Sequence, residues 1–319
     1  MTMGNRNSSC DRWRFWIDRG GTFTDVIGRT DQGHIHTLKL PSASDSYDDA
    51  AVEGMRQLLN AAPGDPFPSG RVIDIKMGTT VATNALLERK GAPTLFVTTE
   101  GFADALVIGD QARPELFALD IRKPAPLYAG VVEASERLDA AGGVVTALDR
   151  ERLAGALARA RAEGMTSAAI AFLHADLNPA HELEAGALAI AAGFEFVALS
   201  HQVSPLPRFL ARAETTVADA YLTPVLKAYV EQVASAVAGA PLYFMTSAGA
   251  LVRAEAFRGR DAVLSGPAGG VVGVAKAARE AGADAVLGFD MGARSASPSR
   301  GRSTAPEASS RSAASTTPA

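Results

Sequence analysis

The stretch FWIDRGGTFTDVIGR, residues 15–29, places two adjacent glycines between two short apolar runs. Glycine amides can approach a phosphate closely because no Cβ intervenes, and threonine hydroxyls add donors from the same turn. The pattern fits either a phosphate-binding loop or a plain Gly-Gly hairpin. Asp18 favours the phosphate loop, because a hairpin turn has no need of a carboxylate beside its glycines. The predicted loop consists of Asp18, Gly20, Gly21, Thr22, Thr24 and Asp25.

Asp18 also brings a negative charge to the end of the first apolar run. Mg²⁺ usually keeps several waters and takes one or two carboxylates together with substrate phosphates. We therefore predict Asp18 as the residue that holds a Mg²⁺ ion, through bound water.

A second candidate loop lies in KMGTTVATNALLERKG, residues 76–91. Gly78, Thr79 and Thr80 stand between a predicted strand and a helix that starts near Val81, with Asn84 one turn inside. The threonines are suited to capping that helix. The alternative is that the loop and Asn84 bind an anion or a substrate at the positive end of the helix.

A third glycine-rich loop is LSGPAGGVVG, residues 264–273, again between a predicted strand and a helix. Its spacing is not the G-x-G-x-x-G of a dinucleotide fold, and the chain contains no G-K-[ST] of a P-loop. Gly266, Gly269 and Gly270 are predicted to bind a nucleotide, or else to allow close packing of the helix.

The alternation of short β-rich runs with alanine-rich segments from Trp13 onward predicts a layered α/β protein. Antiparallel hairpins should open the fold, and residues 150–200 should form a helix–strand–helix–strand series in a parallel sheet. The remaining predicted elements are a long helix near 212–238, strands at 242–245, 262–265 and 285–291, and a helix starting at 266.

Composition excludes several classes of protein. The 319 residues carry a formal net charge of -4 with dispersed Lys and Arg, which argues against nucleic-acid binding. The single cysteine, Cys10, gives no disulfide framework, and no apolar run approaches the length of a membrane span. The five histidines lack metal-site spacing, and no G-x-S-x-G occurs. We expect a cytoplasmic protein with small-molecule partners.

Both ends of the chain differ from the rest. Residues 293–319 contain no Val, Ile, Leu, Met or aromatic residue, so they cannot bury enough apolar surface to offset their ordering entropy. We predict disorder there and in residues 1–12.

Six stretches resemble, in order, the motifs of the hydantoinase A and 5-oxoprolinase family. They are IDRGGTFTDVIG, MGTTVATNALLERKGAPTLFVTTEGFADAL, ARPELFALDIRKPAPL, SERLDAAGGVV, SHQVSPLPRFLARAETTVADAYL and LSGPAGGVVG. The resemblance implies an actin-like ATPase fold, with ATP and Mg²⁺ as cofactors and two phosphate loops around one nucleotide. It also implies ATP-dependent opening of a five-membered cyclic amide such as hydantoin or 5-oxoproline, with Asp18 and Asp25 as catalytic residues. A hydantoinase B-type subunit or a second copy of the chain is the implied partner.

The resemblance also predicts boundaries and a departure. It divides the chain into an N-terminal domain at 13–200 and the start of a hydantoinase A domain at 201–292. Asp290 and Gly292 begin a second phosphate loop, but Ala293 and Arg294 break its pattern. We therefore expect a chain that ends within the second loop and is inactive alone. The alternatives are a subunit of an ATP-dependent ketone carboxylase, a sugar-kinase-like phosphotransferase, or a non-catalytic remnant.

Overall fold

The computed structural model describes residues 11–62, 64–110, 117, 119–121, 123–283 and 285–289. Asp290, Gly292 and the predicted tail at 293–319 lie outside the described residues, as does most of the predicted tail at 1–12. The chain forms two compact units. The first unit comprises Met1–Thr80, Val233–Glu255 and Leu264–Ala319, and the second unit comprises Val81–Gln232 and Ala256–Val263.

The described residues form twelve strands and nine α-helices. The strands are β1 Trp13–Arg19, β2 Phe23–Thr30, β3 Ile35–Pro41, β4 Val72–Thr79, β5 Thr94–Thr99, β6 Gly130–Ala134, β7 Arg137–Leu138, β8 Val144–Thr146, β9 Ser167–Ala171, β10 Phe196–Leu199, β11 Leu242–Met245 and β12 Leu251–Arg253. The helices are α1 Ala50–Leu59, α2 Val81–Leu87, α3 Ala105–Ile108, α4 Arg150–Ala162, α5 Ala180–Ala191, α6 Ser200–Val203, α7 Phe209–Ala236, α8 Gly259–Ala262 and α9 Ser265–Ala281.

The first unit is built on a six-stranded sheet in the order β12-β11-β4-β1-β2-β3. The hairpins β1–β2 and β2–β3 are antiparallel as predicted, whereas β4 runs parallel to β1. Trp13, Phe15 and Ile17 are buried on one face of β1, which α1 covers, because side chains alternate along a strand. Asp49 caps α1 by accepting hydrogen bonds from the Ala51 and Val52 amides.

The second unit contains a four-stranded parallel sheet in the order β10-β9-β5-β6, as predicted for residues 150–200. β5 is buried along its whole length, as expected of a central strand in a parallel sheet with both faces covered. Leu153 and Leu157 of α4 belong to the core on one face, and Ala213 and Val217 of α7 belong to the core on the other.

Two predicted strands are wrong. Residues 262–265 comprise the last residue of α8, a two-residue turn and the first residue of α9. A short apolar run fits either a strand or a buried helical turn. Residues 285–289, the described part of the other run, form no strand and pair with none of the described strands. An apolar run acquires strand structure only where a neighbouring strand takes its backbone hydrogen bonds.

Candidate functional site

The first unit holds a cavity of about 280 Å³ on the sheet face that carries Trp16, Asp18 and Lys76. That volume lies just below the range of about 300–1,000 Å³ typical of small-molecule sites. It suits part of a nucleotide better than a whole one. The cavity is lined by Trp16, Ile17, Asp18, Asp25, Ile27, Lys76, Met77, Gly78, Met245, Leu251, Ser265, Gly266, Gly269 and Gly270.

Two carboxylates face each other at the polar end of this cavity. Asp18 and Asp25 are direct partners across the antiparallel β1–β2 pair. Like charges placed directly opposite each other destabilise a sheet. The Lys39 ammonium lies 2.9 Å from both carboxylate oxygens of Asp25. The pair therefore provides an electronegative position that a bound cation would stabilise.

The hairpin between these carboxylates is stabilised by hydrogen bonds to Ser42. The Ser42 hydroxyl donates to the Gly20 carbonyl at 2.7 Å and lies 2.9 Å from the hydroxyl of buried Thr24. A Cβ on Gly20 would lie 2.9 Å from the Phe23 carbonyl oxygen, so only glycine fits there. The Thr24 hydroxyl thus stabilises the loop, whereas Thr22 is exposed at its tip.

The second predicted loop is joined to the first hairpin. Gly78 is the β4 partner of Asp18, and a Cβ on Gly78 would lie 3.4 Å from Asp18 Oδ1. The Thr80 amide and hydroxyl both donate to the Arg19 carbonyl, at 3.1 and 3.2 Å. The carbonyl of buried Thr79 accepts a hydrogen bond from Ser265 at the start of α9. The predicted site residues that line the cavity are Asp18, Asp25, Gly78, Gly266, Gly269 and Gly270. The others from these loops do not line it: Gly20, Gly21, Thr22, Thr24, Thr79 and Thr80.

Asn84 stands apart from this arrangement. It lies in α2, a helix of seven residues that belongs to the second unit. Asn84 does not line the cavity, and its binding role stays a prediction.

The glycines at the start of α9 leave the cavity open. A Cβ added at Gly266, Gly269 or Gly270 would meet no heavy atom within 4 Å. Close packing of the helix, the alternative explanation for these glycines, therefore has no support among the described residues. Three glycines that line a cavity within the first two turns of α9 instead leave room for a ligand.

Lys76 is a residue that the sequence analysis missed. It lies two residues before Gly78 on β4, and the two-residue period of a strand places both on the same sheet face. That period was the available signal. Its ammonium lies 2.5 Å from Asp74 Oδ1 and 5.0 Å from the centroid of the Trp16 ring.

The second unit contains a different charged cluster, here called the Arg212 network, formed by Asp176, Glu182, Ser200, His201 and Arg212. Arg212 is fully buried and donates to Asp176 Oδ1, to the Phe172 carbonyl and to the Ser200 hydroxyl, at 2.6, 2.6 and 2.9 Å. These residues lie beyond the carboxyl ends of β9 and β10.

Glu182 is the buried acceptor of the same network. Its carboxylate receives hydrogen bonds from the amides of Phe172 and His201, at 2.9 and 3.0 Å, and from the Ser200 hydroxyl at 2.5 Å. His201 Nδ1 lies 2.6 Å from its second oxygen. The network therefore satisfies its own polar groups.

Two classes of feature do not occur in the part of the chain that the structure describes. It contains no group of three or more His, Cys, Asp or Glu residues placed to hold a metal ion. None of its helices is long and apolar enough to cross a membrane.

The sequence matches two family models and several known proteins. The protein-family model of the hydantoinase/oxoprolinase N-terminal region matches residues 14–193. The hydantoinase/oxoprolinase family model matches residues 212–316. The 5-oxoprolinase of Saccharomyces cerevisiae is 40% identical over 328 residues, covering 90% of this chain and 26% of the relative. Caprolactamase subunit alpha of Pseudomonas jessenii is 32% identical over 300 residues, covering 90% of this chain and 43% of the relative. The chain thus spans between a quarter and a half of these relatives.

Solved structures agree with the predicted fold. A crystal structure of the ATP-dependent caprolactamase from Pseudomonas jessenii matches with a TM-score of 0.72 and 28% identity, over 84% of this chain and 41% of that chain. An acetone carboxylase structure matches with the same TM-score at 19% identity, over 85% of this chain and 41% of that chain, which shows the fold alone. The chain has the predicted α/β fold of the actin-like ATPase class.

Proposed function

The chain belongs to the hydantoinase/oxoprolinase family, and on this premise we propose that its first unit binds ATP phosphates for the activation of a cyclic amide. The observation that carries the proposal is the convergence of three sequence-distant loops on one cavity. Asp18 and Asp25, Gly78, and the glycines of α9 all line it. The substrate class is a lactam or cyclic ureide, as the names of the matched relatives indicate for those proteins.

The proposed reaction explains why ATP is needed. A five-membered lactam is a resonance-stabilised amide in a nearly unstrained ring, so water alone opens it slowly. In the proposed step the amide oxygen forms a bond to the γ-phosphorus, and the bond from that phosphorus to the bridging oxygen breaks, leaving ADP. Water then adds to the activated carbon and the ring C–N bond breaks, so that the nitrogen leaves as an amine and the carbon becomes an acyl phosphate. A second water adds to this acyl carbon, and phosphate leaves to give the carboxylate. The protein contributes positioning and charge neutralisation.

Mg²⁺ fits the residues present. A pair of opposed carboxylates matches the one or two carboxylates that Mg²⁺ takes beside substrate phosphates and waters. Asp18 would hold the ion through water, while Asp25 keeps its pairing with Lys39. When bound, Mg²⁺ would neutralise phosphate charge next to the carboxylates.

Partners and the alternative function follow from the comparisons. One matched relative is named as a subunit alpha, which supports a second, hydantoinase B-type subunit as partner. A ketone carboxylase function has weaker support, because the acetone carboxylase match is structural and only 19% identical. We propose that full turnover also needs regions that the matched relatives carry outside the shared part.

Isothermal titration of the full chain with ATP, in EDTA and in excess Mg²⁺, tests the proposal. Mg²⁺ should strengthen ATP binding by the wild type. Asp18→Asn should reduce that Mg²⁺-dependent gain by about 10- to 100-fold, the range found when groups that orient a metal's ligands are removed. Its thermal midpoint should stay the same, because Asp18 is exposed.

Asp45→Asn is the matched control, since Asp45 is an exposed carboxylate of the same unit that does not line the cavity. It should bind MgATP like the wild type. Unchanged Mg²⁺ dependence in Asp18→Asn, or a wild type that does not bind MgATP, would contradict the proposal.

A further inference from the structure

We infer that Lys76 is the cationic group that binds the transferred phosphoryl group in the cavity of the first unit. The inference rests on the proposed function, and it assigns the positive charge that this function requires. Among the described residues that line the cavity, Lys76 is the only cationic side chain. Lys39 lies outside that lining and is paired with Asp25.

The sheet register places Lys76 beside the phosphate loops. On β1, Trp16 is the direct partner of Lys76, and Asp18 is the partner of Gly78. Alternate residues share a sheet face, so Trp16, Asp18, Lys76 and Gly78 form one four-residue patch on the cavity face. Lys76 therefore lies on the strand next to Asp18, opposite the residue two positions before it. Asp18 is the carboxylate that is proposed to hold the metal.

The neighbours of the Lys76 ammonium hold it in place and leave at least one of its N–H groups able to donate a hydrogen bond. Lys76 is 22% exposed at its side chain, with Nζ 2.5 Å from Asp74 Oδ1 and over the face of Trp16. An ammonium carries three N–H donors, and Asp74 is its only hydrogen-bond acceptor in the described part of the chain. At least one donor is thus left for a ligand in the cavity.

The local charge balance favours an anion. Asp74 is shared between Lys76 and Arg14, whose Nη1 lies 3.4 Å from Asp74 Oδ2. Two cations around one carboxylate leave a net positive charge on this side of the cavity. On the same sheet face, Asp18 and Asp25 would repel a phosphoryl group unless a cation intervenes. A phosphoryl group between a carboxylate-held Mg²⁺ and the Lys76 ammonium would have opposite charge on both sides.

This position matches the demand of phosphoryl transfer. As the bond to the bridging oxygen breaks and the bond to the amide oxygen forms, negative charge spreads over the three equatorial oxygens. The Lys76 ammonium donates a hydrogen bond to one of those oxygens. A preorganised donor in a partly desolvated site stabilises such charge more than water does.

The test is isothermal titration of the full chain with MgATP and with AMP, which lacks the β- and γ-phosphates. Lys76→Met should weaken MgATP binding by about 10- to 100-fold, as expected for loss of a hydrogen bond between charged groups, and AMP binding by less than about threefold. Lys76→Gln, which keeps a polar side chain, should show a similar loss for MgATP. Lys76→Arg should restore most of the affinity, because it restores the charge.

Lys276→Met serves as the control, since Lys276 is an exposed lysine of α9 that does not line the cavity. It should bind both nucleotides like the wild type. If the wild type binds MgATP and both Lys76→Met and Lys76→Gln bind it equally well, this inference is overturned while the proposed function stands. If the wild type does not bind MgATP, the proposed function fails and this inference fails with it.

Discussion

The two charged clusters of this chain are built in opposite ways. In the first unit, Asp18 and Asp25 lie opposite each other on β1 and β2 at an open cavity, and Asp25 is paired with Lys39. In the second unit, Arg212 and Glu182 are fully buried, and each makes several hydrogen bonds to neighbouring groups. Removing one member of a buried hydrogen-bonded charge network destabilises a fold, because its partners are left buried and unpaired. Two like charges beside an open cavity instead favour the binding of a cation. We therefore assign ligand binding to the first cluster and structural support to the second.

The largest expected effect is a loss of fold stability when the Arg212 network is broken. Arg212→Met should lower the free energy of unfolding by about 3–5 kcal/mol, because it leaves the Asp176 carboxylate and the Phe172 carbonyl without their buried partner. Urea unfolding followed by circular dichroism measures this loss.

Arg208→Met provides the matched comparison for Arg212→Met, since Arg208 is exposed and immediately precedes α7. Surface substitutions of this kind usually change stability by less than about 0.5 kcal/mol. Equal stabilities of the two variants would mean that the Arg212 network does not support the fold, and the contrast between the clusters would disappear.

A smaller effect of opposite sign is expected at the cavity. The double substitution Gly269→Ala with Gly270→Ala should raise stability by about 0.5–1 kcal/mol per site, because alanine costs less backbone entropy than glycine within a helix and its Cβ meets nothing here. The same methyl groups enter the cavity, so MgATP affinity should fall. A combined gain in stability and loss of binding would show that these glycines serve the ligand. A loss of stability would point to packing instead.

Sequence was sufficient for the elements whose pattern is local. The hairpin around Gly20 and the parallel strands β9 and β10 follow from turn chemistry and from apolar runs between helices. The structure places Asp18, Gly78 and Gly266 at one cavity, and their role in nucleotide binding stays a prediction.

Other features depend on tertiary contacts that no local pattern contains. The two-residue period of β4 places Lys76 on the face of Gly78, but its contacts with Trp16 and Asp74 are visible only in the folded sheet. Arg212 lies in an alanine-rich helix, and only the folded chain shows that it is buried beside Ser200. Residues 262–265 were misassigned because four apolar residues do not define a period.

The central claim is that the open cavity binds MgATP and that the buried Arg212 network stabilises the fold. Hydrogen exchange of the full chain with and without MgATP, read by mass spectrometry, tests this claim most directly. The account predicts slower exchange on MgATP addition in residues 17–25, 76–80 and 265–270, which carry the cavity lining. Exchange in residues 172–182 and 200–212, which carry the Arg212 network, should not change. Slower exchange confined to the network segments, or no change in the cavity segments, would contradict the account.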